Sequence, residues 1–173
     1  MRRPSAGTTA ASGVTFEAFA RHELRPLVAF AWSLTGDLAA AEDLAQDALE
    51  AAWQAWDRVG GYDKPGAWAR RVVANRAAGH SRRRGREQRA LGRLAGRPTA
   101  TLELEATDDR FWRELRNLSE RQAQAVALHY LEDLSIAQIA LVLGCAEGTV
   151  KVHLHRGRAA LAHALGLDRE IDR

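Results

Sequence analysis

Three features of this sequence predict an all-α fold, built as two small helical domains joined by a flexible linker. Apolar residues recur at helical spacing through residues 16–34, 38–56 and 65–84, and again beyond residue 110. Two Ser-x-x-Gln boxes, Ser119 to Gln122 and Ser135 to Gln138, mark helix starts, while Gly144 and Gly166 mark helix stops. Between the periodic regions, residues 85–107 lose the pattern and gather Gly92, Gly96, Pro98 and several Thr and Arg, the composition of a tether. A chain of 173 residues that is 46% hydrophobic has enough apolar material to pack such helices around cores.

Taken in order, residues 1–13 are small and polar and read as a disordered tail. Phe16, Phe19, Leu24, Leu27, Val28, Ala31 and Leu34 then outline a helix, in which Pro26 is expected to kink the run or split it. Asp37 is a helix cap. The helix it opens carries Leu38, Ala41, Leu44, Ala45, Ala48, Leu49, Ala52 and Trp56 on one face and Asp43, Gln46, Asp47 and Glu50 on a stripe opposite. No basic residue within that helix pairs with the stripe. It is either a solvated acidic face or a docking surface for a basic partner helix, and its mild self-repulsion favours some use for it.

Residues 57–64, DRVGGYDK, read as a loop, with Pro65 suited to the first turn of the next helix. That helix, from Pro65 into Arg84, combines Trp68, Val72 and Asn75 with Arg70, Arg71 and Arg76 and ends in the cluster Arg82, Arg83 and Arg84. Trp68 reads as a core anchor or a base-stacking ring. The arginines are either solubilising or a surface for nucleic-acid phosphates, with the Asn75 amide available to base edges. The first domain therefore spans residues 14–84 and the linker residues 85–107.

The second domain spans residues 108–168. Phe111, Trp112 and Leu115 suggest a short helix, and the box at Ser119 opens another that runs through Ala125, Val126, Leu128, His129 and Leu131. Ser135 to Leu143, the stop at Gly144, and a helix from about Glu147 with Val150, Leu154, Leu161 and Leu165 on one side form a helix-turn-helix. The opposite or flanking surface of its second helix presents Thr149, Lys151, Val152, His155 and Arg156, and such a helix fits a DNA major groove.

Charge segregation carries more information than the net charge of +3. Every formal charge from Asp37 to Asp57 is acidic. From Arg70 to Arg97 only Glu87 opposes a run of arginines. Adjacent blocks of opposite sign point to two different partners. The single cysteine, Cys145, excludes an intramolecular disulfide framework and a zinc site of several thiolates, and points to a reduced cytosol. No long uncharged stretch predicts membrane insertion. His153 and His155 are two apart on one helix and point in different directions, so no metal site is expected. Phosphate loops, nucleophile elbows and metalloprotease signatures are absent, so neither an enzyme nor a cofactor is expected.

Four blocks together resemble a known family: AEDLAQDALEAAW from Ala41, PGAWARRVVANRAAGHSRRR from Pro65, LSERQAQAVALHYLEDLSIAQIALVLG from Leu118 and EGTVKVHLHRGRAAL from Glu147. In order and spacing they resemble the two domains of extracytoplasmic-function (ECF) sigma factors, which retain sigma regions 2 and 4. The resemblance implies a cytoplasmic transcription initiation factor whose partners are core RNA polymerase, promoter DNA and an anti-sigma factor. It implies that Asp43, Gln46, Asp47 and Glu50 bind the clamp helices of the largest polymerase subunit, and that the flap of the second subunit is a further contact. Asn75, with the loop from Gly60 to Lys64, would receive a flipped base of the minus-ten element. Arg70, Arg71, Arg76 and Arg82 to Arg84 would handle phosphates there. Thr149, Lys151, Val152, His155 and Arg156 would face the minus-thirty-five element. Where many members carry Ser, this chain has Ala146. Val152 and His153 likewise replace a common Ser-Arg pair, so relatives' promoter sequences do not transfer directly. A stand-alone helix-turn-helix regulator is the alternative; it has no evident need for the acidic helix.

Overall fold

The computed structural model describes residues 14–91 and 108–167, with backbone alone for 80–91 and 108–109. The expected tail and most of the expected linker lie outside the described residues. Within them the chain forms α1 (Phe16–Thr35), α2 (Leu38–Gln54), α3 (Trp56–Val59), α4 (Pro65–Leu91), α5 (Asp108–Asn117), α6 (Glu120–Tyr130), α7 (Ile136–Leu143) and α8 (Glu147–Leu165).

Capping chemistry sets most of these boundaries. Thr15 accepts a hydrogen bond from the Ala18 amide to start α1, and Gly36 ends it in the left-handed conformation at φ 67°. Asp37 then accepts from the Ala40 amide at 3.2 Å and starts α2. Pro26 does not split α1, which continues through it as one helix. The turn read as loop begins later than expected, because Trp56 to Val59 close a short helix over the buried Trp56 and Val59. Helix α4 likewise continues past Arg84 to Leu91. Gly85 costs about 1 kcal/mol there, while Arg86, Gln88, Arg89, Ala90 and Leu91 are good helix formers that outweigh it.

In the first domain, α1 packs along α2 and both lean on α4. Ala41, Ala45, Ala48 and Ala52 of α2 are fully buried, and their small side chains let the helices approach closely. An aromatic group closes one end: the Phe16 ring centroid lies 4.8 Å from Trp53 and 5.3 Å from Trp56, with Phe19 4.9 Å from Trp56. In the second domain, α6, α7 and α8 enclose Val126, Leu128, Ile139, Val142, Val150 and Leu154. Ser135 and Gln138 form the complete reciprocal capping box of α7. The other box fails in part: Ser119 sits at the N-cap of α6, yet its side chain makes no capping bond.

The two domains pack against each other, and their buried residues form one continuous core cluster. Trp32 of α1 meets Trp112 of α5 edge-on at 5.5 Å, and the Arg116 guanidinium lies 5.7 Å from the Trp32 ring centre. Buried Gln124 of α6 donates to the Ala74 carbonyl of α4 at 2.9 Å. Helix α7 lies against α4.

Candidate nucleic-acid interface

The acidic stripe emerges from the alternation in α2. Ala41, Leu44, Ala45, Ala48 and Ala52 turn inward, which leaves Asp43, Gln46, Asp47 and Glu50 exposed on the outer surface. Glu50 accepts from the Gln54 amide at 3.2 Å. Asp47 pairs with Arg76 of α4, a cross-helix contact that a search for partners within α2 does not reveal. Both side chains of that pair are about half exposed, at 50% and 43%, so it is a weak surface bridge of roughly 0–1 kcal/mol, open to exchange for other partners.

Helix α4 buries Ala69, Val73, Ala74 and Ala77 and leaves Asn75 and Arg76 exposed one turn beyond Arg71. Gly61, Tyr62, Asp63 and Lys64 of the preceding turn are exposed, whereas Gly60 is buried. Arg82, Arg83 and Arg84 lie on the same helix, in the part described by backbone alone.

Arg70 departs from its expected role as an open phosphate contact. Its side chain is only 11% exposed and bridges two carboxylates, donating through Nη1 to Glu23 of α1 at 2.6 Å and through Nε to Glu132 at 2.8 Å. Burial alone would lower its pKa, but the two carboxylates outweigh that, so the guanidinium is held more firmly protonated than an ordinary arginine. Arg71 is exposed as a residue, but its guanidinium lies against the helix-turn-helix turn: a Cβ on Gly144 would stand 2.5 Å from Arg71 Nη2.

The second surface is that of α8. Val150, Leu154, Gly157 and Leu161 face inward, and Thr149, Lys151, Val152, His155 and Arg156 are exposed together. Ala146 occupies the N-cap without a side-chain bond. His153, half-buried between the two surfaces, has its pKa lowered below 6.5 by burial, then by the nearby positive charges of Arg121 and Arg156. Its imidazole is therefore neutral at neutral pH and offers one donor and one acceptor.

Several residues that shape the site escape sequence reasoning. Gly157 is needed because a Cβ there would come within 2.8 Å of Val126 Cγ2, so the recognition helix sits close against α6. A glycine inside a helical pattern is the available signal for such an approach. Gln124, Glu23 and Glu132 carry no signal of that kind, since their partners lie 47 to 62 residues away.

An exposed acidic helix, an Asn and Arg face on the long α4, and a helix-turn-helix packed against α4 define a two-domain all-helical protein. Comparison with known proteins narrows the class. Residues 19–87 match the family description "Sigma-70 region 2", and residues 108–161 match "Sigma-70, region 4". The chain is 35% identical over 162 residues to the ECF RNA polymerase sigma factor SigL of Mycobacterium tuberculosis, covering 90% of this chain and 91% of that one. It is 30% identical over 158 residues to the RNA polymerase sigma-E factor of Streptomyces coelicolor, covering 91% and 89%. Among solved structures, the sigma factor RpoE in complex with the anti-sigma factor NepR, from Bartonella quintana, superposes with a TM-score of 0.69. That match has 31% identity and covers 88% of this chain and 98% of RpoE. The chain belongs to the ECF family of RNA polymerase sigma factors, the transcription initiation factors that direct RNA polymerase to promoters.

Proposed function

We propose that the chain docks on core RNA polymerase through Asp43, Gln46, Asp47 and Glu50, opens the promoter with α4, and anchors upstream through α8. The observation that carries this reading is the acidic stripe, exposed along one side of α2 while Ala41, Leu44, Ala45, Ala48 and Ala52 on the opposite side build the core. The clamp helices of the largest polymerase subunit are the basic partner it fits. The ion pair between Asp47 of the stripe and Arg76 is exposed and exchanges readily for other partners. Asn75, with residues 60–64, holds a base flipped from the minus-ten element, and Arg76, Arg82 and Arg83 hold the flanking phosphates. Thr149, Lys151, Val152, His155 and Arg156 read the minus-thirty-five element in the major groove, with Val152 placed to touch a thymine methyl. The second domain meets the flap of the second polymerase subunit. An anti-sigma factor holds the free chain inactive; the likeness to RpoE, solved with such a partner, supports that part.

Substituting Asp43→Arg with Gln46→Ala tests the docking assignment. Both side chains are exposed, so the helical circular dichroism stays as in the parent while co-elution with core polymerase is lost. Co-elution at the parental level would remove the stripe from the interface.

A further inference from the structure

Arg70 lies on the helix read here as the minus-ten surface, yet its charge is consumed inside the molecule. Two limbs leave the guanidinium. The Nη1 limb reaches Glu23 of α1 and the Gly66 carbonyl, both in the first domain. The Nε and Nη2 edge reaches one oxygen of Glu132, in the turn between α6 and α7 of the second domain. That edge is the planar fork with which arginine grips a phosphate or a carboxylate.

The turn that presents Glu132 is tightly held. Asp133 adopts φ 50°, the Leu134 amide donates to the Leu128 carbonyl at 3.1 Å, and His129 Nδ1 lies 3.1 Å from the Leu134 carbonyl. Room for the bridge depends on a missing side chain, since a Cβ on Gly66 would stand 2.6 Å from Glu23 Oε1 and 2.8 Å from Arg70 Nη1. Side-chain exposure is 11% for Glu23 and 6% for Glu132, so salt screens the bridge far less than a surface pair. A cleft lined by Arg25, Pro26, Ala29, Arg70, Leu131 and Glu132 opens over it along the seam between the domains.

We propose that Glu132 is an intramolecular stand-in for DNA phosphate, and that its bridge to Arg70 latches the second domain over the first and withholds Arg70 and Arg71 from nucleic acid. The proposal rests on the reading of α4 as a DNA surface. When the seam opens, the Arg70–Glu23 limb stays inside the first domain and keeps the guanidinium oriented. The Nε and Nη2 edge is then presented to a phosphate, and Arg71 leaves the turn at Gly144. The latch thus sets the fraction of free chain competent for DNA, and apparent affinity scales with that fraction.

The test uses the full chain without polymerase and compares Glu132→Gln, Arg70→Gln and Glu114→Gln. The last makes the same charge change on α5, where Glu114 accepts a bond from Asn117 of its own helix. Amide exchange across residues 70–76 and 142–146 reports opening of the seam, and anisotropy with a short mixed-sequence DNA single strand at fixed salt reports affinity. In Glu132→Gln, exchange accelerates and DNA binding tightens, each by about tenfold or more, because removing one partner of a buried ion pair weakens the closed state. Glu114→Gln stays at the parental values. Arg70→Gln opens the seam equally and frees Arg71, but it lacks the Arg70 edge, so its binding tightens distinctly less than that of Glu132→Gln.

Parental exchange in Glu132→Gln overturns the latch. Faster exchange with parental affinity overturns the sequestration of Arg70. Binding by Arg70→Gln as tight as that of Glu132→Gln would show an open seam with Arg70 uninvolved, which overturns the phosphate stand-in and removes Arg70 from the DNA surface. The polymerase-docking assignment is judged separately by co-elution of the Asp43 variant.

Discussion

Gly157 offers a sharp test of how the recognition helix is seated. Replacing it with Ala has two opposed effects. Helix propensity improves by about 1 kcal/mol, because a mid-helix glycine loses backbone entropy that alanine does not. Against this, the new methyl would stand 2.8 Å from Val126 Cγ2 and 3.5 Å from Gln122 Cβ. Val126 is 1% exposed and β-branched, so its side chain has little freedom to retreat. Overpacking of this kind costs about 1–3 kcal/mol, so Gly157→Ala should destabilise by roughly 1 kcal/mol net. The helix should also be pushed outward where Leu154 and Leu161 pack. Urea unfolding of the parent, Gly157→Ala, Val126→Ala and the double variant measures the coupling. The double variant should be less destabilised than the sum of the singles by about 1 kcal/mol or more, because Val126→Ala removes the obstructing methyl. A stabilised Gly157→Ala with additive behaviour would refute the close approach of α6 and α8.

Two further perturbations probe neighbouring features. His153, with its pKa lowered, should titrate below 6.5 by imidazole NMR, and Arg121→Ala should raise the value by removing one of the charges that lower it. Because the folded pKa lies below the unfolded one, the stability due to neutral His153 is complete above pH 6.5. It is lost as the pH falls from there through the folded pKa, and a flat stability profile across that window would contradict the assignment. Ser135→Ala should cost about 0.5–2 kcal/mol of stability, since Ser135 Oγ accepts from the Gln138 amide at 3.3 Å. Ser119→Ala should cost less, there being no capping bond to lose, and equal losses in a thermal melt would count against that difference.

Local chemistry made much of the fold legible. Asp37, Ser135, Gly144 and Gly166 bound helices through contacts within a few residues, and the inward faces of α2 and α8 follow from spacing, except that Leu38, at the first turn of α2, is exposed. Helix α4 outruns the boundary expected at Arg84 because Gly85 is a weak breaker among strong helix formers. Exposure of the acidic stripe and of Thr149, Lys151 and Arg156 follows from the same periodicity. What periodicity cannot carry is tertiary pairing. Asp47 meets Arg76, Arg70 meets Glu132 and Gln124 meets the Ala74 carbonyl across 29, 62 and 50 residues, respectively. Each joins residues whose types are equally at home on a solvated surface. A reading of Arg70 and Arg71 from charge alone thus sends both to DNA, whereas the packed domains direct one to a carboxylate and the other to a glycine turn.

As a member of the ECF sigma family, this chain should confer promoter-directed initiation on core RNA polymerase. Run-off transcription on genomic fragments, with core polymerase in the presence and absence of the chain, tests it most directly. Discrete transcripts should appear only when the chain is present, and should disappear when Asp43→Arg with Gln46→Ala replaces the parent. Transcript patterns identical with and without the chain, together with tight binding to duplex DNA alone, would contradict it.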